Sequence, residues 1–171
     1  MGEFTIHPLE REDRSWVSRM ISERWGSEVV VAHGVVYHPA DLPGFKAILE
    51  GKQVGLITYY IEGRDCGIVS LDSDRSGVGI GSGLIEAVKE VAIEAGCSRL
   101  WLITTNDNLK ALRFYQRRGF SLVAVHRDAV QRSRQLKPEI PIIGEDGIPI
   151  RDEIELEMML SEKCKSQKVD E

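Results

Sequence analysis

Two stretches of this chain carry residue types whose spacing suits chemistry. The first runs from Asp72 to Leu84 and holds glycines at 77, 79, 81 and 83. It follows an apolar run, Ile68 to Leu71, that reads as a strand. It leads into Ile80, Leu84, Val88, Val91 and Ala92, whose spacing is helical. Glycine lets the backbone turn through left-handed angles and lets a ligand approach without a Cβ in the way. The first amides of a helix have no internal acceptor, and the helix dipole favours negative charge beside them. A strand, a glycine turn and an open helix N-terminus together form a phosphate site. The second stretch is Asn108 to Phe120. Asn108, Ala111 and Tyr115 are spaced by three and four residues, which puts an amide, a small gap and a phenol on one helix face.

The glycine turn fits neither common nucleotide signature. A P-loop needs a lysine followed by Ser or Thr after its last glycine, and the turn has no lysine. A dinucleotide fingerprint needs G-x-G-x-x-G. Counting from Gly77 places Ser82 at the final glycine, and counting from Gly79 places Leu84 there.

Ser76-Gly77-Val78-Gly79-Ile80-Gly81 instead resembles the acyl-CoA signature of the GNAT superfamily of N-acyltransferases, Gln/Arg-x-x-Gly-x-Gly/Ala. Ser76 stands where that family carries Gln or Arg, and Arg75 lies one place early. The second stretch matches the GNAT pattern Asn-x-x-Ala-x-x-Phe/Leu-Tyr-x-x-x-Gly-Phe/Tyr at every specified position, through Asn108, Ala111, Phe114, Tyr115, Gly119 and Phe120.

The resemblance implies an enzyme that moves an acetyl group from acetyl-CoA to a primary amine by direct attack in a ternary complex. It implies that Ser76, Gly77, Val78, Gly79, Ile80, Gly81 and Ser82 bind the cofactor's diphosphate, and that Asn108 and Ala111 accommodate its pantetheine arm. It also implies that the strand ending Ser70-Leu71-Asp72 lends backbone groups to the pantetheine and to the thioester carbonyl. Tyr115 then serves as general acid to the departing thiolate, and its phenol, with a pKa near ~10, suits that role.

The attacking amine must lose a proton, and the family fixes no position for the base. Asp72 leads the candidates, with Glu62 and Asp65 behind it. Asp72 can equally cap the glycine turn. A non-catalytic acyl-CoA sensor is the alternative, and retention of Tyr115 speaks against it.

The elements that must position these residues follow from periodicity. Phe4 to Ile6 reads as a strand, and Asp13 to Trp25 as an amphipathic helix with Asp13 as N-cap and Gly26 as terminator. Trp16 and Trp25 are expected in the core. Glu28 to Ala32 and Val35 to Tyr37 suggest a ribbon around His33-Gly34, and neither His33 nor His38 is assigned a role. Phe45 to Glu50, Gln53 to Ile61 and Cys66 to Asp72 read as three hairpin-linked strands. Ile68 and Ser70 are expected on one strand face and Val69 and Leu71 on the other.

After the glycine turn and its helix, Arg99 to Thr104 reads as a strand parallel to the one before, since βαβ crossovers are right-handed. The Asn108 helix follows, then strand Ser121 to His126 and a short helix from Asp128 to Leu136. Asp152 to Met158 is an alternating strand whose glutamates are expected to face solvent. The fold class is α/β (α+β), with a mixed, mostly antiparallel central sheet, helices on both faces and one parallel βαβ pair. Residues 1–160 are expected to form one domain, and 161–171 a polar tail. The loop over 136–152 is rich in Pro, Gly and Ile; it is expected to cover the acceptor cleft or to contribute to a homodimer.

Composition bounds the function. A chain of 171 residues is large enough to bury roughly 70% of its unfolded surface. A net charge of −5 argues against nucleic-acid binding, which needs a basic face. Cys66, Cys97 and Cys164 form no framework, and the four histidines have no ligand spacing, so no metal is expected. No apolar window spans a membrane and no signal peptide opens the chain, so cytoplasmic localisation is expected. The family resemblance, not the composition, implies a small-molecule or peptide amine as acceptor.

Overall fold

The computed structural model describes residues 2–161, so the expected tail from residue 162 onward lies outside the described residues. A seven-stranded sheet forms the centre. In chain order its strands are β1 (Thr5–Pro8), β4 (Gly44–Leu49), β5 (Lys52–Glu62), β6 (Asp65–Ser73), β7 (Arg99–Thr105), β8 (Ser121–His126) and β9 (Glu153–Met159). The intervening β2 (Val30–Ala32) and β3 (Val35–Tyr37) form a separate two-stranded ribbon. Strands lie in the order β1-β4-β5-β6-β7-β9-β8, and every pair is antiparallel except β6 with β7. This is the expected mixed sheet with its one parallel pair. The last strand, β9, inserts between β7 and β8.

One face of the sheet is covered by α2 (Ile80–Glu94) and α3 (Leu109–Arg117). The larger core lies there, around Ile57, Ile80, Leu84, Val88, Leu100 and Leu156, all essentially inaccessible. On the other face α1 (Arg14–Trp25) buries Val17, Met20 and Ile21 against Leu56 and Val30. The last helix, α4 (Ala129–Leu136), packs beside β2. No helix among the described residues is long and apolar enough to cross a membrane.

Asp13 occupies the N-cap position of α1, but its carboxylate makes no cap bond. It accepts instead from the Glu10 amide at 2.8 Å, from Lys46 Nζ at 2.9 and 2.8 Å, and from Gln53 Nε2 at 3.1 Å. A single buried carboxylate thus ties the start of α1 to β4 and β5. Burial pushes the Asp13 carboxyl up, but its bonds to Lys46, Glu10 and Gln53 outweigh that and hold it below its ordinary value.

The expected alternation along β6 is broken. Thr58 pairs with Ser70 while Tyr59 pairs with Ile68, so Val69 is an extra residue in its strand. Ile68 and Leu71 therefore both pack toward the larger core, while Val69 packs with the α1 cluster. A β-bulge bends its strand and increases the local twist. This one sits where β6 turns away from its neighbour.

Candidate active site

The parallel pairing of β6 with β7 runs from Asp65–Arg99 to Ile68–Leu102 and stops. Both strands continue, β6 to Ser73 and β7 to Thr105, so they diverge beyond the bulge. The gap opens into a cavity of about 900 Å³. Ser70, Leu71 and Asp72 line one wall and Ile103 to Thr105 the other, with Asn108, Ala111 and Tyr115 of α3 between them. Trp25 and Arg24 close it from α1, Ser133 and Lys137 from α4 and its C-cap, and Ile140, Ile143, Gly144 and Ile150 from the loop that follows.

The glycine turn follows Asp72, the last residue of β6 to line the cavity, and leads into the head of α2. Gly77 and Gly79 have φ of 79° and 87°, angles that favour glycine, and Gly79 is the helix N-cap. Helix α2 begins at Ile80, earlier than the glycine spacing suggests, so Gly81 and Gly83 lie inside it. Their reason is packing. A Cβ on Gly81 would fall 2.8 Å from the Phe114 ring, and one on Gly83 would fall 3.0 Å from Phe4. Among the described residues, the amides from Gly77 to Ser82 find no acceptor, and the first helical bond is Gly83 N to Gly79 O at 3.0 Å. A row of open amides at a helix N-terminus is what a diphosphate requires.

Arg118, which carried no sequence signal, extends this edge. Its Nε donates to Ser82 Oγ at 2.8 Å, its Nη1 donates to Phe114 O at 2.9 Å, and its guanidinium lies 3.4 Å over the Phe114 ring. It clamps the C-terminal end of α3 to the first turn of α2.

Helix α3 presents the expected face. Asn108 is its N-cap, with Oδ1 accepting from the Ala111 amide at 3.1 Å. The Asn108 oxygen is thereby committed, which leaves its NH₂ for a ligand. Tyr115 is buried, with its ring edge-on to Phe114 at 5.1 Å and to Phe120 at 5.3 Å. Burial raises the phenol well above its ordinary value, the Asp72 charge adds to the rise, and Arg118 works weakly against it. Tyr115 is therefore a protonated donor at neutral pH.

Asp72 faces the same cavity. Its Oδ2 accepts from Trp25 Nε1 at 3.2 Å, and Arg24 Nη1 lies 3.8 Å from its Oδ1. Burial raises the Asp72 carboxyl, while Arg24 and the Trp25 bond pull it down; the net direction is upward. Within the glycine turn, Ser73 Oγ accepts from the Arg75 amide. Trp25, expected in the core, is 41% exposed and serves as a cleft wall, because Gly26 ends α1 at the mouth of the gap. Trp16 does pack against the α1 cluster. Glu62 and Asp65 lie at the β5–β6 turn, the opposite end of β6 from the gap, and are not brought to the site.

The carboxylate that the pattern of β9 concealed is Glu153. It is 2% exposed, pairs in register with Thr105, and lines the cavity. Ser133 Oγ donates to it at 3.0 Å, the His33 amide donates to both its oxygens at 3.2 and 3.1 Å, and His33 Nδ1 lies 3.6 Å away. The other glutamates of β9 are not solvent-facing either. Glu155 and Glu157 are ion-paired with Arg99 of β7, and Glu155 also meets His126 Nε2 at 3.1 Å.

The 136–152 segment is ordered across the cleft. Arg134 Nη2 donates to the carbonyls of Pro141 and Ile150 at 2.8 and 2.5 Å. Asn106 Nδ2 donates to Pro149 O at 2.9 Å, and Asp107 Oδ2 accepts from the Glu145 amide at 3.3 Å. No cluster of three or more His, Cys, Asp or Glu side chains among the described residues is arranged to hold a metal.

The sheet therefore parts beside a helix N-terminus, and a protonated phenol lines the gap. Residues 9–120 match the profile described as Acetyltransferase (GNAT) family, and the chain belongs to that family. YdhI, an uncharacterised protein of Bacillus subtilis (strain 168), is 47% identical over 150 residues, covering 87% of this chain and 94% of that protein. The solved IAA acetyltransferase from Bacillus cereus ATCC 14579 superposes with a TM-score of 0.71 at 22% identity, covering 92% of this chain and 100% of that one. A GNAT family acetyltransferase from Elizabethkingia anophelis, solved with acetyl-CoA bound, gives a TM-score of 0.65 at 19% identity over 92% and 98% of the two chains. The two structures share the fold. The resemblance read from the glycine turn and from Asn108 to Phe120, and the fold it implied, are borne out. The chain is an acyltransferase of this family.

Proposed function

We propose that this enzyme transfers an acetyl group from acetyl-CoA to a primary amine within a ternary complex. The observation that carries this reading is the parting of β6 from β7 beyond Ile68 and Leu102, with Tyr115 at the fork and open amides at the head of α2. The residues from Ser76 to Ser82 hold the diphosphate through those amides. The separated edge of β6 at Ser70, Leu71 and Asp72, together with Asn108 and Ala111, receives the pantetheine arm. Backbone donors near Leu71 polarise the thioester carbonyl where negative charge develops.

The amine nitrogen attacks the thioester carbon, forming a C–N bond, and the tetrahedral species collapses by breaking the C–S bond. Tyr115 passes its proton to the leaving sulfur. The proton lost by the amine goes to Asp72 or to a water that Asp72 holds. The raised carboxyl of Asp72 suits a base, since proton affinity and ionisation at neutral pH must be balanced. Among the described residues, Cys66 and Cys97 lie in the larger core and do not line the cavity, so neither offers a thiol for a covalent acyl-enzyme there.

The test is release of free CoA thiol from acetyl-CoA in the presence of an amine panel, with the acetylated amine identified by mass spectrometry. Steady turnover with at least one amine is the expected result. Saturable binding of acetyl-CoA with no turnover on any amine would overturn the reading in favour of an acyl-CoA sensor.

A further inference from the structure

Lys137 is a cation in an unusual place. It is 5% exposed and lines the cavity, and its Nζ donates to the carbonyl of Val29 at 2.8 Å. Among the described residues no carboxylate lies within ion-pair distance of it, unlike Lys46, which is paired with Asp13. An ammonium carries three donors, and one carbonyl satisfies only one of them. Taking such a group out of water is costly unless an anion completes its shell. Burial accordingly draws the Lys137 ammonium below its ordinary value, with Glu139 acting weakly the other way.

The arrangement around Lys137 has a second half. Its amide donates to the Ser133 carbonyl at 2.8 Å, so the two residues stand one helical turn apart. The Ser133 hydroxyl in turn holds Glu153. A buried cation one helical turn beyond Ser133 and a buried carboxylate held by the Ser133 hydroxyl therefore line the same cavity of about 900 Å³. The cavity also carries Asp107, Glu139 and Glu145, and these alone would suggest a purely cationic acceptor. Asp107 accepts from the Thr105 hydroxyl at 2.6 Å and from the Glu145 amide, as Glu153 accepts from Ser133 and His33, so hydrogen bonding alone does not rank these carboxylates. A purely cationic acceptor, however, would have no use for a lysine and would be repelled by it.

We propose that the acceptor amine also carries a carboxylate, joined to it by a short carbon chain, and that Lys137 grips this carboxylate while the amine is directed toward Glu153 and the fork. The inference rests on the amine-acetylation reading above. It makes Lys137 a specificity residue, outside the acyl-transfer step itself.

The test uses matched pairs: α- and ω-amino carboxylates of two to six carbons and their carboxamides, as acceptors with acetyl-CoA. The expected result is a KM for at least one carboxylate that is at least about tenfold below that of its carboxamide, the scale of a buried charge-assisted contact. Lys137→Met should erase that gap, and Lys137→Arg should retain much of it, while the KM for acetyl-CoA stays within about twofold in both. Equal or better use of the carboxamides by the wild-type protein would overturn the proposal without any variant. So would a gap that survives in Lys137→Met. If no amine is turned over, the acetylation reading fails separately, and calorimetric titration of the same pairs onto the CoA-loaded protein still decides. A carboxylate preference abolished by Lys137→Met supports the site, and equal affinities overturn it.

Discussion

The indole Nε1 of Trp25 donates to Oδ2 of Asp72 at 3.2 Å, joining the last residue of α1 to the diverging end of β6. The bond holds an aromatic wall and a carboxylate in fixed relation across the mouth of the cleft. It also stabilises the ionised form of Asp72, against a burial that favours the neutral form.

Removing the donor therefore has a signed consequence. If Asp72 accepts the amine proton, activity requires its carboxylate, and kcat/KM falls as pH drops through its pKa. Trp25→Phe deletes one of the influences that lower that pKa, so the acidic limb of the profile should move to higher pH. Arg24→Met should move it the same way and further, because the Arg24 charge is the larger lowering influence. Profiles of kcat/KM against pH for the three proteins check this, and an unmoved limb in both variants would remove Asp72 from the proton path.

Tyr115→Phe keeps the ring packing against Phe114 and Phe120 and deletes only the proton donor. General acid catalysis is worth about 10²- to 10⁴-fold, so kcat should fall within that range. The KM for acetyl-CoA should change little, since the proposed seats for the diphosphate and most of the pantetheine arm lie elsewhere. Steady-state kinetics at saturating acceptor measure both. A kcat within about threefold of wild type would assign the proton to water.

The turn at Gly79 tests the cofactor grip separately from the chemistry. Its φ of 87° places an alanine in a region costing about 1–2 kcal/mol, whatever space is available. Gly79→Ala should relieve that strain by shifting the amides at the head of α2. The expected result is a raised KM for acetyl-CoA and weaker calorimetric binding of CoA, with kcat at saturation largely retained. A loss of kcat with unchanged CoA affinity would count against a diphosphate seat in this turn.

Much of this arrangement was legible in the chain. Asn108, Ala111 and Tyr115 share a face because helical period alone dictates it, and Gly26 and Gly119 end their helices through left-handed angles. What stayed hidden depends on partners remote in sequence. The bulge at Val69 exists only in the pairing with Thr58 and Tyr59, so Leu71 reads on the wrong face from alternation alone. Glu153 looks like the first of a row of surface glutamates until β9 inserts between β7 and β8 and His33 and Ser133 close over it. Trp25 has the composition of a core residue, but the helix ends there, at the rim of a cavity.

Asp13 provides a prediction about stability with no direct tie to the cleft. Its carboxylate is buried and holds Lys46, Gln53 and the Glu10 amide together, joining α1 to β4 and β5. Asp13→Ala leaves the Lys46 ammonium largely buried without its partner, a change that costs about 3 kcal/mol. The pH dependence follows from the lowered pKa. The native state favours the ionised carboxylate more than the unfolded chain does, so the stabilisation is fully present above the unfolded value of 3.8 and is lost as pH falls through the lower folded value. Urea unfolding of wild type and Asp13→Ala at neutral pH should show the full difference, and the gap should narrow in acid once both states are protonated. A difference that stays constant through the acidic range would mean that the loss is one of packing, with the ion pair contributing nothing.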